Sequence, residues 1–377
     1  MHLEKKFGID RIHFYAPKTY LDLEDLATFR NTDVNKFKIG IGQEKMAIIT
    51  PNEDIVTMAA EAAYPIIRGI ESSIGLLLFA TESGIDFSKA AGIYLHHLLE
   101  LSPNCRVLEV KQACYAATGA LLLANDYVKA NPHKKALVVS SDVAWYGFET
   151  PGEVTQGAGA IAMVVSENPT LAIVGEGKPS VSNVEDFYRP AYHEIPIVDG
   201  KLSIRSYKDL LKVVRPDEKL KFMCFHMPFA VMSDKASEVL IEPLSPEVLK
   251  AAKAFNQDIG NIYNGSLFLS LLSLLSHTQS DDLRNQKVGM FSYGSGAIGE
   301  YFTLFMQPNF EKGFFREEIF NYFQRRQRID FSTYHHLMEV YRTREMSLEF
   351  TPDYPRHEDQ IFFLESIHHG HRSYVKK

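Results

Sequence analysis

The feature that most restricts the fold is a series of short, unbroken apolar runs separated by stretches of helical period. "IGLLLFA" (74–80), "KALVVSSD" (135–142), "AGAIAMVVS" (158–166), "KFMCFHM" (221–227) and "KVGMFSYG" (287–294) are too short for ordinary helices and too continuous for strands with one wet face. Such runs read as strands buried on both faces, the pattern of a parallel sheet covered by helices. Between them, "DFSKAAGIYLHHLLEL", "TGALLLANDYVKANP" and "NGSLFLSLLSLLSHTQSDD" have helical spacing, and Asn131-Pro132 supplies a stop signal. Strands alternating with helices predict an α/β architecture.

The chain has 377 residues, more than the roughly 250–300 at which a single core stops growing, so two packed halves are expected. Residues 1–166 form the first and 216–377 the second. Residues 167–215, with Pro, Asp and aromatic residues in no clear period, read as the connection. The second half loosely repeats the order of the first, helix then strand then a Gly-rich turn at "SYGSGAIGE".

A formal net charge of −7 argues against nucleic acid as a partner, because phosphate backbones are bound by excess Lys and Arg. The start lacks the apolar run of a signal peptide, and no segment reaches the roughly 20 apolar residues that span a bilayer, so a cytoplasmic protein is expected. Three cysteines, Cys105, Cys114 and Cys224, are an odd number without a secretory signal, which disfavours a disulfide framework.

Four features can carry chemistry. Cys114 begins a helix, where unpaired backbone N–H groups and the helix dipole favour thiolate, although a free cysteine most often only packs. Glu82 ends an apolar strand in "LLLFATESGIDF"; partial burial there raises a carboxyl group toward the pKa of a general base, while a solvated turn is the plainer outcome. His226 follows the run "MCF" and is able to donate to a carbonyl or carry a proton, or to sit satisfied in the core. The turns "TQGAGA" and "FSYGSGAIGE", around Ser295, let backbone N–H groups approach a developing oxyanion, and match no dinucleotide or phosphate-cradling fingerprint. The His pairs in "LHHLL", "YHHLM" and "IHHGH" lack metal-ligand spacing, since neighbours on a helix diverge by about 100°. No metal site is expected, and "HHGHRS" reads as a solvated tail.

Strand-end Glu, helix-starting Cys and His after a later strand together resemble the 3-hydroxy-3-methylglutaryl-CoA synthase family of the thiolase-like superfamily. "NKFKIGIGQEKMA", "TESGIDFSKAA", "EVKQACYAAT", "SDVAWYGFETPGEVTQGAGAIAMV", "DFYRP", "PIVDGKLS", "CFHMPF", "GNIYNGSLFLSL" and "FSYGSG" follow in family order over most of the chain. The resemblance implies a five-layer αβαβα sandwich of two similar βαβαβαββ halves, a homodimer, and thioester substrates without a separate cofactor. It makes Cys114 the acetyl acceptor, Glu82 the base that removes a methyl proton, and His226 the group that polarises the acceptor ketone. The Cys114 N–H and the backbone around Ser295 would stabilise charge on the thioester oxygen. Tyr146 and Thr155 would lie near the acyl group and Asn261 beside the acceptor, with Asp142 and Asp199 as supporting carboxylates. Lys235, Lys36 and Arg189 would meet the phosphates or pantetheine arm of the carrier.

The segments from Asp199 to His226 and from Met232 to Gly260 look short for the family, and Asn264 stands where a small hydroxyl residue is common. The implied substrates are acetyl-CoA and acetoacetyl-CoA. "ESGIDF" and "NCRVLEVKQACY" also resemble the polyketide β-branching branch, in which the β-ketoacyl group rides on an acyl carrier protein. A carrier-binding subunit without turnover is the remaining alternative, because a fold does not guarantee a function.

Overall fold

The computed structural model describes residues 5–377. Its centre is a ten-stranded sheet. The strands are β1 (Phe7–Tyr15), β2 (Ile74–Ala80), β3 (Arg106–Val110), β4 (Lys135–Ala144), β5 (Gly157–Glu167), β6 (Ala172–Val174), β7 (Lys178–Val181), β8 (Phe222–Phe225), β9 (Lys287–Gly294) and β10 (Ile298–Met306). They lie in the order β8-β9-β10-β6-β1-β5-β4-β2-β3, and β7 pairs with β10. All five apolar runs are strands of this sheet, and two of them, β2 and β9, match their runs end to end.

The order contains the same motif twice. In the first half β3, β2 and β4 are parallel, β5 is antiparallel to β4, and β1 closes against β5. In the second, β8 and β9 are parallel, β10 is antiparallel to β9, and β6 closes against β10. The halves meet where their first strands pair antiparallel, Gly8 opposite Ile173. Among the described residues the second half has no counterpart of β3. The chain after β8 instead runs through helices, including Pro246–Ile259 and Ser266–His277.

Alternation along the strands divides the core into layers. Leu76, Leu78, Val138, Ile161 and Met163 face inward with Cys224 and Met290 of the other half, and between them lie α3 (Ala116–Ala130) and α6 (Ser266–His277). Leu77, Phe79, Leu137 and Val139 face outward against α1 (Ile55–Ile67) and α2 (Ala91–Leu98). On the opposite outer face Met223, Phe225 and Phe291 pack against Tyr207 and Leu211 of α4 (Gly200–Val214). Helix, sheet, helix, sheet and helix make the five layers. The helix Pro246–Ile259, α5, packs with α6 and contributes Phe255 and Ile259 to the central core.

Residues 167–215 are more than a connection. They contain β6 and β7 of the sheet and all of α4. A three-residue strand such as β6 is too short to show a period, and the amphipathic spacing of Tyr207, Leu210, Leu211 and Val214 was hidden behind the loop-like stretch before it. No helix among the described residues is long and apolar enough to cross a membrane.

Candidate active site

The carboxyl ends of the parallel strands supply the chemistry. Glu82 lies two residues beyond β2 and His226 one residue beyond β8, and these strands hold equivalent places in the two halves. Cys114 lies in the turn between β3 and α3. Ala113 before it has φ 44°, a left-handed conformation that costs a non-glycine residue about 1–2 kcal/mol, so the surrounding packing must hold the turn. Part of that packing is Gly294 at the end of β9, where an added Cβ would stand 2.6 Å from Tyr115 Cβ and 2.8 Å from Gln112 O. The second half thus closes directly on the turn that carries the thiol.

Cys114 Sγ donates to Glu82 Oε1 at 2.9 Å. Burial, followed by the charge of Glu82, pushes the thiol well above its ordinary value. Burial, followed by the charge of Asp142, raises Glu82 to about 8. Two anions side by side are disfavoured, so the thiol keeps its proton and the carboxyl gives up its own only near pH 8. Burial lowers His226 to about 3, which keeps the imidazole neutral. Its main chain is fixed on both sides: His226 N donates to Phe291 O, and Tyr207 OH donates to His226 O, each at 2.8 Å.

Asp142, fully buried on β4, ties the base to the nucleophile. Its Oδ1 accepts from Thr81 Oγ1 (2.8 Å), Glu82 N (2.7 Å), Ser83 N (3.1 Å) and Ser83 Oγ (3.1 Å). Its Oδ2 accepts from Asn264 N (3.3 Å) and Asn264 Nδ2 (3.1 Å). Asn264 Oδ1 in turn accepts from Ala117 N at 3.1 Å, capping the first turn of the helix that follows Cys114. The amide of Asn264 therefore spends its polar atoms on the scaffold, and the residue is 1% exposed. Asn264 thus supports the site through Asp142 and the helix start.

Tyr146, Phe187 and Tyr263 form an edge-to-face cluster with ring centroids 5.9–6.2 Å apart. Burial raises the phenol of Tyr263, and the charges of Glu82 and Cys114 add to the effect, which places this wall beside the pair. Asn261 Nδ2 donates to Tyr146 OH at 2.9 Å, and Asn261 N donates to Thr155 O at 2.9 Å. Thr155 Oγ1 is used within its own turn, donating to Gly152 O at 2.8 Å. Arg189 Nη2 donates to the Glu82 carbonyl oxygen at 2.7 Å. Ser295, half-buried, opens the turn after Gly294.

Asp199 does not belong to this group. It is exposed and caps α4, accepting from Lys201 N and Leu202 N. The carboxylate that reaches the site is Asp186, buried at 0% exposure, which accepts from Tyr293 OH at 2.7 Å and from Gly296 N at 3.0 Å and so anchors the turn of Ser295. Asp199 follows the apolar "IPIV", whereas Asp186 stands directly against the aromatic residues of "EDFYRP", which was the available signal. Among the described residues, Lys36 and Lys235 take no part in the hydrogen bonds of Glu82, Cys114 and Asp142. Lys36 is exposed at the start of the helical turn Lys36–Ile41, and the ammonium of Lys235 lies 5.3 Å from the centroid of the Phe229 ring.

A cysteine hydrogen-bonded to a raised carboxyl, with a neutral imidazole at the matching strand end of the other half, in a doubled five-layer fold, is the arrangement of a thiolase-like acyltransferase. Residues 3–170 match the family model described as hydroxymethylglutaryl-coenzyme A synthase N terminal, and residues 233–377 match its C-terminal counterpart. The chain is 41% identical over 314 residues to the hydroxymethylglutaryl-CoA synthase of Enterococcus faecalis, covering 78% of this chain and 82% of that one. It is 30% identical to the polyketide biosynthesis 3-hydroxy-3-methylglutaryl-ACP synthase PksG of Bacillus subtilis, over 97% of this chain and 98% of that one. A crystal structure of an HMG-CoA synthase complexed with CoA superposes with a TM-score of 0.91 at 33% identity, covering 99% of this chain and 100% of the other. The chain belongs to the hydroxymethylglutaryl-CoA synthase family.

Proposed function

We propose that this protein condenses acetyl-CoA with acetoacetyl-CoA and water to hydroxymethylglutaryl-CoA through an acetyl-Cys114 enzyme. The observation that carries the reading is the 2.9 Å contact between Cys114 Sγ and Glu82 Oε1 in a chain of this family. Glu82 takes the thiol proton as Cys114 attacks the acetyl thioester, and gives it to the departing CoA thiolate. The carboxylate then removes a proton from the acetyl methyl group. The resulting carbanion attacks the acceptor ketone, whose oxygen accepts a hydrogen bond from neutral His226 and takes the proton released from Glu82 to become the tertiary alcohol. The backbone N–H groups of Cys114 and Ser295 hold the charge that develops on the acetyl oxygen. Water then cleaves the thioester, freeing the new carboxylate and restoring the thiol. The aromatic wall limits water near the carbanion. Side chains and thioester substrates suffice, without a further cofactor.

CoA is the favoured carrier. A cavity of about 580 Å³ lined by Phe29, Phe37 and Pro151 lies against the stretch Glu149–Val154, whose Glu149 and Glu153 pair with Arg30. That stretch joins Tyr146 to Thr155 at the site, its aromatic rings suit the adenine of CoA, and the 41% identity to a hydroxymethylglutaryl-CoA synthase supports the same carrier. The second reading, β-branching on a carrier-protein-bound acceptor, is supported by the likeness to PksG along nearly the whole chain. The homodimer reading is supported by β3, which ends the sheet with one edge unpaired.

Intact mass after mixing with acetyl-CoA tests the nucleophile: one acetyl group is expected, and none on Cys114→Ala. Acetoacetyl-CoA and an acetoacetyl carrier protein are then compared as acceptors by product mass. Absence of product from both sinks the reading, and a strong preference for the carrier protein selects the second.

A further inference from the structure

We propose that Glu349, His368 and His369 form a binding site for one divalent transition-metal ion of the Zn²⁺ or Ni²⁺ class, apart from the acyl chemistry. The residues come together where the strand Glu349–Phe350 pairs with the strand Phe362–His368, Glu349 standing opposite His368. His368 pairs with His371 on the returning strand, so His369 and Gly370 form a two-residue turn. Both have positive φ, 49° and 76°, as a type I′ turn requires.

That conformation explains why adjacent histidines converge. Successive side chains of a strand point to opposite faces, but the left-handed backbone at His369 turns its ring to the side of His368, and the ring centroids lie 4.1 Å apart. Glu349 Oε2 is 2.8 Å from His368 Nδ1, and Glu349 Oε1 is 3.4 Å from His369 Nδ1. One ligand atom from each of the three residues falls within 4.8 Å of the others. Tetrahedral zinc with bonds of about 2.0–2.1 Å separates its ligands by about 3.4 Å, so the donors need only side-chain rotations. At 57–78% side-chain exposure those rotations are free.

Two imidazoles and a carboxylate suit zinc, nickel or copper, whereas magnesium and calcium prefer oxygen alone. Three protein ligands leave further positions to water. A bound ion would clip strand 349–350 to the tip of the C-terminal hairpin. The body of that hairpin is already tied down by Arg372 and Tyr374 on Asp54.

The test uses the full chain without added histidines, stripped with a chelator and titrated calorimetrically with Ni²⁺ and with Zn²⁺. One equivalent is expected with a dissociation constant below about 100 μM. Glu349→Gln and His369→Asn, the latter chosen because Asn tolerates the left-handed turn, are each expected to weaken binding at least about tenfold. Cys114→Ala is expected to keep the equivalent. The proposal is overturned by a wild type that binds no ion in this range, by unchanged affinity in both site variants, or by loss of the equivalent in Cys114→Ala.

Discussion

Replacing Asp142 by asparagine removes one charge and almost no volume, yet the hydrogen bonds around it make the consequences calculable. Asp142 Oδ1 accepts four bonds from Thr81, Glu82 and Ser83, and Oδ2 accepts two from Asn264. An amide has one oxygen. If it faces the four donors, its NH₂ group meets the two donors of Asn264. Each buried donor left unpaired costs about 1–3 kcal/mol, so the two together should lower stability by about 2–6 kcal/mol.

The charge has a separate effect. Burial raises Asp142 to about 6, so it is ionised where Glu82 titrates, near 8. An anion opposes a second anion beside it, and its removal therefore lowers the pKa of Glu82. At an effective dielectric constant of about 20, unit charges roughly 6 Å apart interact by about 3 kcal/mol, or roughly 2 pH units, which sets the scale of the effect. If ionised Glu82 removes the methyl proton, kcat/KM for the acceptor rises through an acid limb near pH 8. In Asp142→Asn that limb should move down by about 1–2 units. The assay is the rate of hydroxymethylglutaryl-CoA formation from pH 5.5 to 9.5, with urea unfolding of both proteins alongside. The height of the profile is expected to drop because Asn264 also caps α3, but the position of the limb reports charge alone. A limb that stays put or moves to higher pH refutes the assignment of Glu82 as the base coupled to Asp142.

Two further substitutions probe the frame. Gly294→Ala should slow acetyl loading of Cys114 by about tenfold or more, because its Cβ would press on Gln112 and Tyr115 and shift the nucleophile turn; loading at the wild-type rate in a folded variant would show that the turn is not set by this contact. Glu61→Gln should flatten the pH dependence of stability. Burial raises Glu61 from 4.5 to about 7, so its contribution is complete below pH 4.5 and is lost as pH rises through 7, a difference of about 3 kcal/mol. Gln keeps an oxygen for the N–H groups of Ile361 and Phe362 without titrating. Urea unfolding at pH 4.5 and pH 8 measures the difference, and equal slopes in the two proteins would rule Glu61 out.

What the sequence determined by itself is what local burial encodes. A run such as 74–80 or 287–294 is apolar throughout because both faces of a central strand are covered, and its length is the length of the strand. The ordered motifs likewise singled out Cys114 and Glu82, whose side chains the fold brings to 2.9 Å. The same local signal misleads where structure departs from a regular period. The helix in "DFSKAAGIYLHHLLEL" starts only at Ala91, because Asp86 takes the N–H groups of Ser88 and Lys89 into a turn and Glu109 accepts from Ala91 N.

Tertiary structure decided which distant polar groups meet. Asp186 and Asp199 are equally acidic and lie in one segment, but only packing shows that Asp186 holds the Ser295 turn while Asp199 caps an exposed helix. It made Asn264 a bridge between Asp142 and α3. It also drew two adjacent histidines to one side through a single left-handed residue. The pKa values of Glu82 and Cys114 belong to the same category, since they depend on desolvation and on charges from residues tens of positions apart. A periodic pattern records how each segment is buried; the partner across the interface is fixed only when the layers close.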